Sequence, residues 1–178
     1  MSAAQVKRPA SNTNTIPLDT FDRGFLEWIT LGGVKLDLAP AGVLAEPALE
    51  ASYGDTPDSF VMMTRRLTHA DLAGATTIAF DIASEREATL AVSFELRDAG
   101  KNNGPRYSLT IFPPGNRRVF PVALKFNAFD HDPNSPTGSG KLDPALIKTI
   151  TIVDVSGPSG GDSSANKLWI GNLRALRD

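Results

Sequence analysis

From Thr89 to Arg97 the chain alternates strictly: Leu90, Val92, Phe94 and Leu96 fall on one side, and Thr89, Ala91, Ser93, Glu95 and Arg97 on the other. A period of two over this length makes a half-buried strand, with one face on a core and the other toward solvent. The same period recurs in Thr77–Ile82, in Arg106–Phe112 and in Val119–Phe126, where Phe120, Val122, Leu124 and Phe126 stay in register. Asn103-Gly104 is a hairpin-turn dipeptide, and Pro113-Pro114-Gly115-Asn116 marks the next turn. No long apolar stretch repeats at the helical period. Short strands with turn signals every ~8–12 residues specify a β-sandwich or barrel. Regularly alternating β and α units are absent, which argues against a doubly wound fold.

The first third adds plausible strands at Gly24–Thr30, Gly33–Leu38, Ala48–Tyr53 and Ser59–Arg65. His69–Gly74 reads as one short turn of helix closed by its Gly, and Asp143-Pro144 as an N-cap followed by a first-turn proline. With 178 residues the chain suits a single domain, which at this size buries roughly 70% of its unfolded surface without disulfide or metal. It has no cysteine, which removes disulfides, thiolate nucleophiles and Cys-ligated zinc. A net charge of −2 supplies no general drive toward nucleic acid or an anionic membrane surface. No apolar run approaches the ~20 residues of a membrane span. We therefore expect neither nucleic acid nor membrane as partner. Residues 1–15 are polar and read as a disordered leader, with the domain at 16–178. Lys7-Arg8 is not followed by the about 7–15 apolar residues of a secretory signal. The compartment stays open, extracellular if the start has been trimmed.

Several phrases together resemble one group of domains. Leu18-Asp19-Thr20-Phe21-Asp22-Arg23-Gly24 is similar to a "DDFEDG" opening, with Trp28 soon after the Gly. Leu72–Ile82 looks like "DLSGY-x-x-I-x-F-x-I", and Phe94-Glu95-Leu96-Arg97-Asp98 like "V-x-L-R-D". Phe120–Phe126, Leu142–Ile152 and Lys167–Arg174 look like "PL-x-x-F", "LDL-x-x-I-x-x-I" and "LWIDNI". In this order they resemble the galactose-binding-like β-jelly rolls of carbohydrate-binding modules and, more distantly, complex I intermediate-associated domains. The resemblance implies an all-β, single-domain β-sandwich jelly roll. It also implies a structural calcium, held by the opening acidic segment and by the Asp of "WIDNI". Asp22 matches the first part, but Gly171 stands where that Asp would be and leaves Asn172 beside it. Asp22 and Asn172 are thus the metal candidates, for an ion that prefers six to eight oxygens.

Catalytic strings are few. Gly157-Pro158-Ser159-Gly160-Gly161 matches G-x-S-x-G, but the loop that follows lacks the helix a nucleophile elbow needs. Asp130-His131-Asp132-Pro133-Asn134 begins like a calcium loop, yet Ser135 and Lys141 replace the Gly and Glu of an EF-hand. No E-x-D-x-x-E string of jelly-roll hydrolases occurs. The best polar constellation is Glu95 and Arg97, with Arg106 and Ser108 on the facing strand. It reads either as a cross-strand ion pair or as the floor of a polar groove. Sugars need aromatic rings to stack on, and Phe supplies nine of the aromatics beside two Tyr and two Trp. Trp28, Tyr53, Phe112, Phe129 and Trp169 are not committed to a core face by the pattern; if Leu168 and Ile170 point inward, Trp169 points outward or toward a neighbouring loop, either as a sugar platform or packed under the leader.

The leading expectation is a non-catalytic module that binds a glycan or polysaccharide on a sheet face and its rim loops. Its site residues would be Glu95, Arg97, Arg106, Ser108, Trp28, Asp130, His131 and Trp169, with no catalytic residue. The alternatives are a structural or assembly module that binds protein, and a jelly-roll hydrolase or lyase.

Overall fold

The computed structural model describes residues 14–22, 24–55, 60–67, 70–98, 103–138 and 140–178. Residues 1–13 of the expected leader, Ser59 and His69 lie outside them. Twelve strands form two antiparallel sheets. The first sheet holds β3 (Lys35–Ala39), β4 (Ala48–Tyr53), β12 (Asn166–Leu176), β6 (Thr77–Ser84) and β9 (Phe120–Lys125) in that order, with β1 (Thr15–Asp19) also paired to β12. The second runs β10 (Asp130–His131), β8 (Arg106–Ile111), β7 (Leu90–Leu96), β11 (Ile147–Asp154), β5 (Val61–Arg66) and β2 (Trp28–Leu31). This is the sandwich that the alternating segments predict and the jelly roll that the resemblance implies. Strand β1 begins at Thr15 and is an addition, because its five residues, with Pro17 at their centre, are too few to show a strand period.

The alternation does the sorting. In β7, Leu90, Val92, Phe94 and Leu96 are buried while the residues between them are half-exposed. Phe94 meets the rings of Phe126 and Phe129 edge-on at 5.5 and 5.0 Å, in the preferred T-shaped arrangement. In β12 a bulge between Gly171 and Arg174 changes the phase. Leu168 and Ile170 point inward before it, and Leu173 and Ala175 after it, with Asn172 at φ +51° making the step. The Asp143-Pro144 cap behaves as its sequence predicts: the Asp143 side chain accepts from the Ala145 N–H over a single 3-10 turn, Pro144–Leu146. Leu72–Gly74 is a β-type turn closed by Gly74 at φ +74°.

At one end of the sandwich a buried polar network joins the sheets. Asp154 on β11 accepts from the Tyr53 hydroxyl of β4 at 2.6 Å and from Arg86 at 3.0 Å. Its other oxygen accepts from the backbone N–H and hydroxyl of Ser156. Asn166 on β12 donates to the Tyr53 hydroxyl at 3.2 Å and to Ser84 on β6 at 3.0 Å. Asp154 is fully buried, so removing a partner strands a charge in low dielectric.

Two outcomes follow. Asp154→Ala should lose about 3–5 kcal/mol in urea unfolding, the range for breaking a buried ion pair. Tyr53→Phe should lose less, about 1–3 kcal/mol, because Arg86 still faces the carboxylate. Burial, with Asp154 beside it, also pushes the Tyr53 phenol well above its ordinary 10.0. The unfolded chain releases this proton where the folded chain keeps it. Stability contributed by Tyr53 is therefore complete below pH 10.0 and falls as pH rises beyond it. Urea titrations on either side of that pH should show a shallower alkaline decline in Tyr53→Phe.

Candidate functional site

The outward side of the second sheet follows from strand pairing. Residues directly opposite on paired strands share a face, and every second residue returns to it. One row crosses all six strands: Ile29, Thr64, Thr151, Ser93, Ser108 and Asp130. A second row, Leu31, Met62, Val153, Ala91 and Thr110, lies on one side of it. On the other side lies a third: Arg66, Thr149, Glu95 and Arg106. The centre is thus lined with hydroxyls, half-buried by their neighbours, while Ile29 and Leu31 at the β2 edge are 54% and 55% exposed. Thr64 and Thr151 bond each other at 2.9 Å. The hydroxyls of Ser93 and Ser108 and the carboxylate of Asp130 have no hydrogen-bond partner among the described residues.

The expected Glu/Arg group is present in altered pairing. Glu95 takes Lys148 at 3.0 Å and the Gly104 N–H at 3.3 Å, while Arg106 takes Asp132 at 3.0 Å. A bulge between Ile147 and Thr149 turns Lys148 onto the outward face, where it reaches Glu95 before Arg106 does. Arg97 is exposed just past the end of β7, its N–H bonded to the Leu146 carbonyl. Glu95, Arg97, Arg106, Ser108 and Asp130 therefore gather on or beside one face.

Three expected site residues lie elsewhere. Trp28 is 6% exposed, packs 6.1 Å from Phe21 and donates its indole N–H to Asp19, so it belongs to the core. His131 pairs with Tyr107, which is inward, and its ring stands edge-on to that phenol with Nε2 near the Pro136 carbonyl at 3.0 Å. Trp169 does point outward, but from the other sheet, and there Leu44 and Val43 cover it. Its N–H donates to Glu50, with Arg117 and Lys167 5.6 and 5.8 Å from the ring centroid, so no ring face is open to a ligand. Tyr53 and Phe129 are buried as well, whereas Phe112 is 64% and Phe60 48% exposed. The β5 and β11 half of the face escaped the sequence reading. The Thr149-Ile150-Thr151-Ile152 alternation was the available signal.

The elbow geometry is missing from Gly157–Gly161. Strand β11 ends at Asp154, and consecutive turns follow it with no helix among the described residues. Asp132 caps its own loop by accepting from the Asn134 N–H at 2.9 Å.

The residues present do not fit the calcium that the resemblance implies. Asp22 accepts from Thr20 at 2.7 Å in an exposed turn. A Cβ on Gly171 would stand 2.8 Å from a Leu44 methyl, so the position of the family Asp lies under an apolar side chain. The Asn172 carbonyl accepts from Arg174 at 2.8 Å. At the opening segment a guanidinium sits among the oxygens: Arg65 contacts Glu27 at 2.6 Å, Asp19 at 3.3 Å and the Leu18 carbonyl. No group of three metal-ligating side chains occurs among the described residues.

No protein-family model and no curated protein sequence matches the chain. Solved structures do. A family 11 carbohydrate-binding module from Clostridium thermocellum, in complex with a β-1,3-1,4-mixed-linked tetrasaccharide, superposes with a TM-score of 0.74 at 21% identity. The match covers 94% of this chain and 98% of that one. The fold is that of a carbohydrate-binding module. A family 30 carbohydrate-binding module matches at TM-score 0.61 and 10% identity over 94% of this chain and 90% of its own. An exo-β-agarase matches at 0.65 and 13% over 92% of this chain and 25% of its own length.

Arg65→Met should keep the bulk but leave Asp19 without its cation, costing about 3 kcal/mol or more in urea unfolding. The melting temperature of the unaltered protein should be the same in millimolar-range calcium and in chelator.

Proposed function

We propose that this chain is a non-catalytic carbohydrate-binding module whose glycan lies across the outward face of the second sheet. The observation that carries this is the row of hydroxyls ending in Asp130, with Ser93 and Ser108 on the central strands and Asp130 at the β10 edge all unengaged among the described residues. Hydroxyls and a carboxylate offer the donors and acceptors that sugar hydroxyls need. Ligand sites keep a few such groups among apolar surface, and Ile29, Leu31 and Met62 supply that surface here. The superposition with a module solved in complex with a tetrasaccharide supports the same reading. A non-catalytic role is supported by the structural neighbours that match along nearly their whole length, which are carbohydrate-binding modules.

The exposed edge of Ile29 and Leu31 gives the protein-binding reading its one specific support. An apolar strip on a short edge strand can dock a partner.

Affinity electrophoresis against soluble polysaccharides tests the proposal. At least one neutral glucan or galactan should retard the protein. Ser93→Arg, which fills the centre of the face, should abolish retardation. Ala123→Arg, on the exposed side of β9 in the other sheet, should leave it unchanged. Equal loss in both variants, or no retardation by any polysaccharide, would move the assignment to the protein-binding reading.

A further inference from the structure

We infer that the end of this face bearing Phe112 is a separate subsite for an uncharged sugar ring, an inference that rests on the glycan-binding reading above. Ile111 is 5% exposed and inward, so Phe112 follows it outward at 64% exposure, in line with Ser108 and Thr110. Thr89 lies beside it, because Leu90 pairs with Ile111 and the register continues. The backbone N–H of Val155 donates to the Thr89 carbonyl at 2.9 Å. Phe112 therefore lies four residues along β8 from Ser108, about 13 Å at the usual rise per residue. A glycan lying over the Ser93 row can extend to it without leaving the face.

The ring is held on a stiff support. Pro113 and Pro114 restrict the backbone that follows it. Gly115, Asn116 and Arg117 then all take left-handed φ, at +77°, +55° and +56°. Two of their N–H groups are fixed to the carbonyls of Glu85 and Ser84 at 2.9 and 2.8 Å, and the Ala88 N–H donates to the Pro113 carbonyl at 3.2 Å. Gly115 cannot be replaced cheaply, since a Cβ there would meet the Arg86 backbone at 2.6 Å. An exposed aromatic on a backbone this constrained loses little freedom when a ligand stacks on it.

Beside the ring is a cavity of about 400 Å³, within the range of small-ligand sites, and it is lined by Phe112, Pro114, Thr89, Glu87 and Asp162. One Asp162 oxygen accepts from the N–H of Ser164 at 2.9 Å and from its hydroxyl at 2.6 Å. These bonds hold the carboxyl below its ordinary 3.8, so it stays charged and oriented. Its other oxygen has no partner among the described residues, and neither does the Glu87 carboxylate. Arg86, a cation whose charge acts on Asp162, has a side chain only 9% exposed. Its donors are committed to Asp154, Ser156 and the carbonyls of Ser164 and Glu87. The subsite thus offers a ring face for stacking and two anionic acceptors for hydroxyl protons. A hydroxyl-rich neutral pyranose matches it. A uronate or sulfated sugar would meet two carboxylates, with no cation among the described residues that line the cavity.

Isothermal titration with a soluble mixed-linkage β-glucan, a soluble galactan and a polygalacturonate tests this on the full chain and four variants. For whichever neutral polymer binds, Phe112→Ala should weaken binding about tenfold or more, which corresponds to about 1.4 kcal/mol. Asp162→Asn should weaken it severalfold, and Asp162→Lys should raise affinity for polygalacturonate relative to the unaltered protein. Phe112 is on the surface, so its variant should keep the parent's unfolding midpoint. If a neutral polymer binds, Ser93→Arg abolishes it and Phe112→Ala binds like the parent, the subsite is overturned while the glycan-binding reading stands. Preference of the unaltered protein for polygalacturonate would overturn the neutral-sugar assignment. If none of the three polymers binds, both readings fall together.

Discussion

Asp154 is a carboxylate with no exposed surface, placed where four strands from both sheets end, and donors from Tyr53, Arg86 and Ser156 converge on it. Such a group is costly in low dielectric unless its lone pairs are filled, and here Tyr53, Arg86 and Ser156 fill them. The consequence is geometric. Tyr53 ends β4, Ser84 ends β6, Asn166 opens β12 and Asp154 ends β11, so one connected network fixes the ends of elements that neither sheet alone would align. Networks of this kind are all-or-none, because an unmet member costs as much as several met ones contribute. Arg86 extends the order outward by donating to the Ser164 carbonyl at 2.9 Å, which holds the loop carrying Asp162 against the turn carrying Glu87. The end of the sandwich that bears Phe112 is therefore as well anchored as its strands.

The two sheets use their outward faces differently, and that asymmetry is what separates structure from function here. On the first sheet, the segment between β3 and β4 lays Val43 and Leu44 over Trp169, Ala48 and Ala83, forming a second small core. This small core packs directly onto Gly171, where a Cβ would stand 2.8 Å from a Leu44 methyl. On the second sheet the corresponding surface is small and hydroxyl-bearing. Serine and threonine on a strand face give modest packing and contribute little to stability when solvated. Their concentration along one cross-strand row, rather than scattered, is what the glycan-binding proposal rests on.

The sequence made the inward faces legible because alternation is a local property: Leu90 to Leu96 announces its buried side without reference to any other strand. The same reasoning found Ser93, Glu95, Arg106 and Ser108, since β7 and β8 form a hairpin and face each other by simple proximity. It missed Thr64 and Thr151, because β5 and β11 join that face only through pairings across about half the chain. The two tryptophans show a different limit. Alternation correctly sends Trp169 outward, but what covers it is a loop more than a hundred residues earlier, and periodicity contains no information about that. Trp28 is inward because the short strand β2 pairs with Arg65 in a register set by β5. The partner of Glu95 depended on one extra residue, Lys148, at a bulge that no alternation count reveals.

The arrangement around Arg65 suggests how this chain keeps its opening segment docked. A main-chain carbonyl and two carboxylates converge there, the kind of hard oxygen set that elsewhere holds a divalent cation. A guanidinium serves the same electrostatic purpose with its own geometry: planar, with several donors, and charged at any pH at which the protein folds. It is also tethered to β5, so the link from β1 to the second sheet is made by the fold itself and needs no ion from solution. The arrangement has a cost, since the Arg65 Nε is buried without a partner, and an ion carries no such leftover donor. Even so, Arg65 ties the opening segment to the second sheet through a side chain of β5.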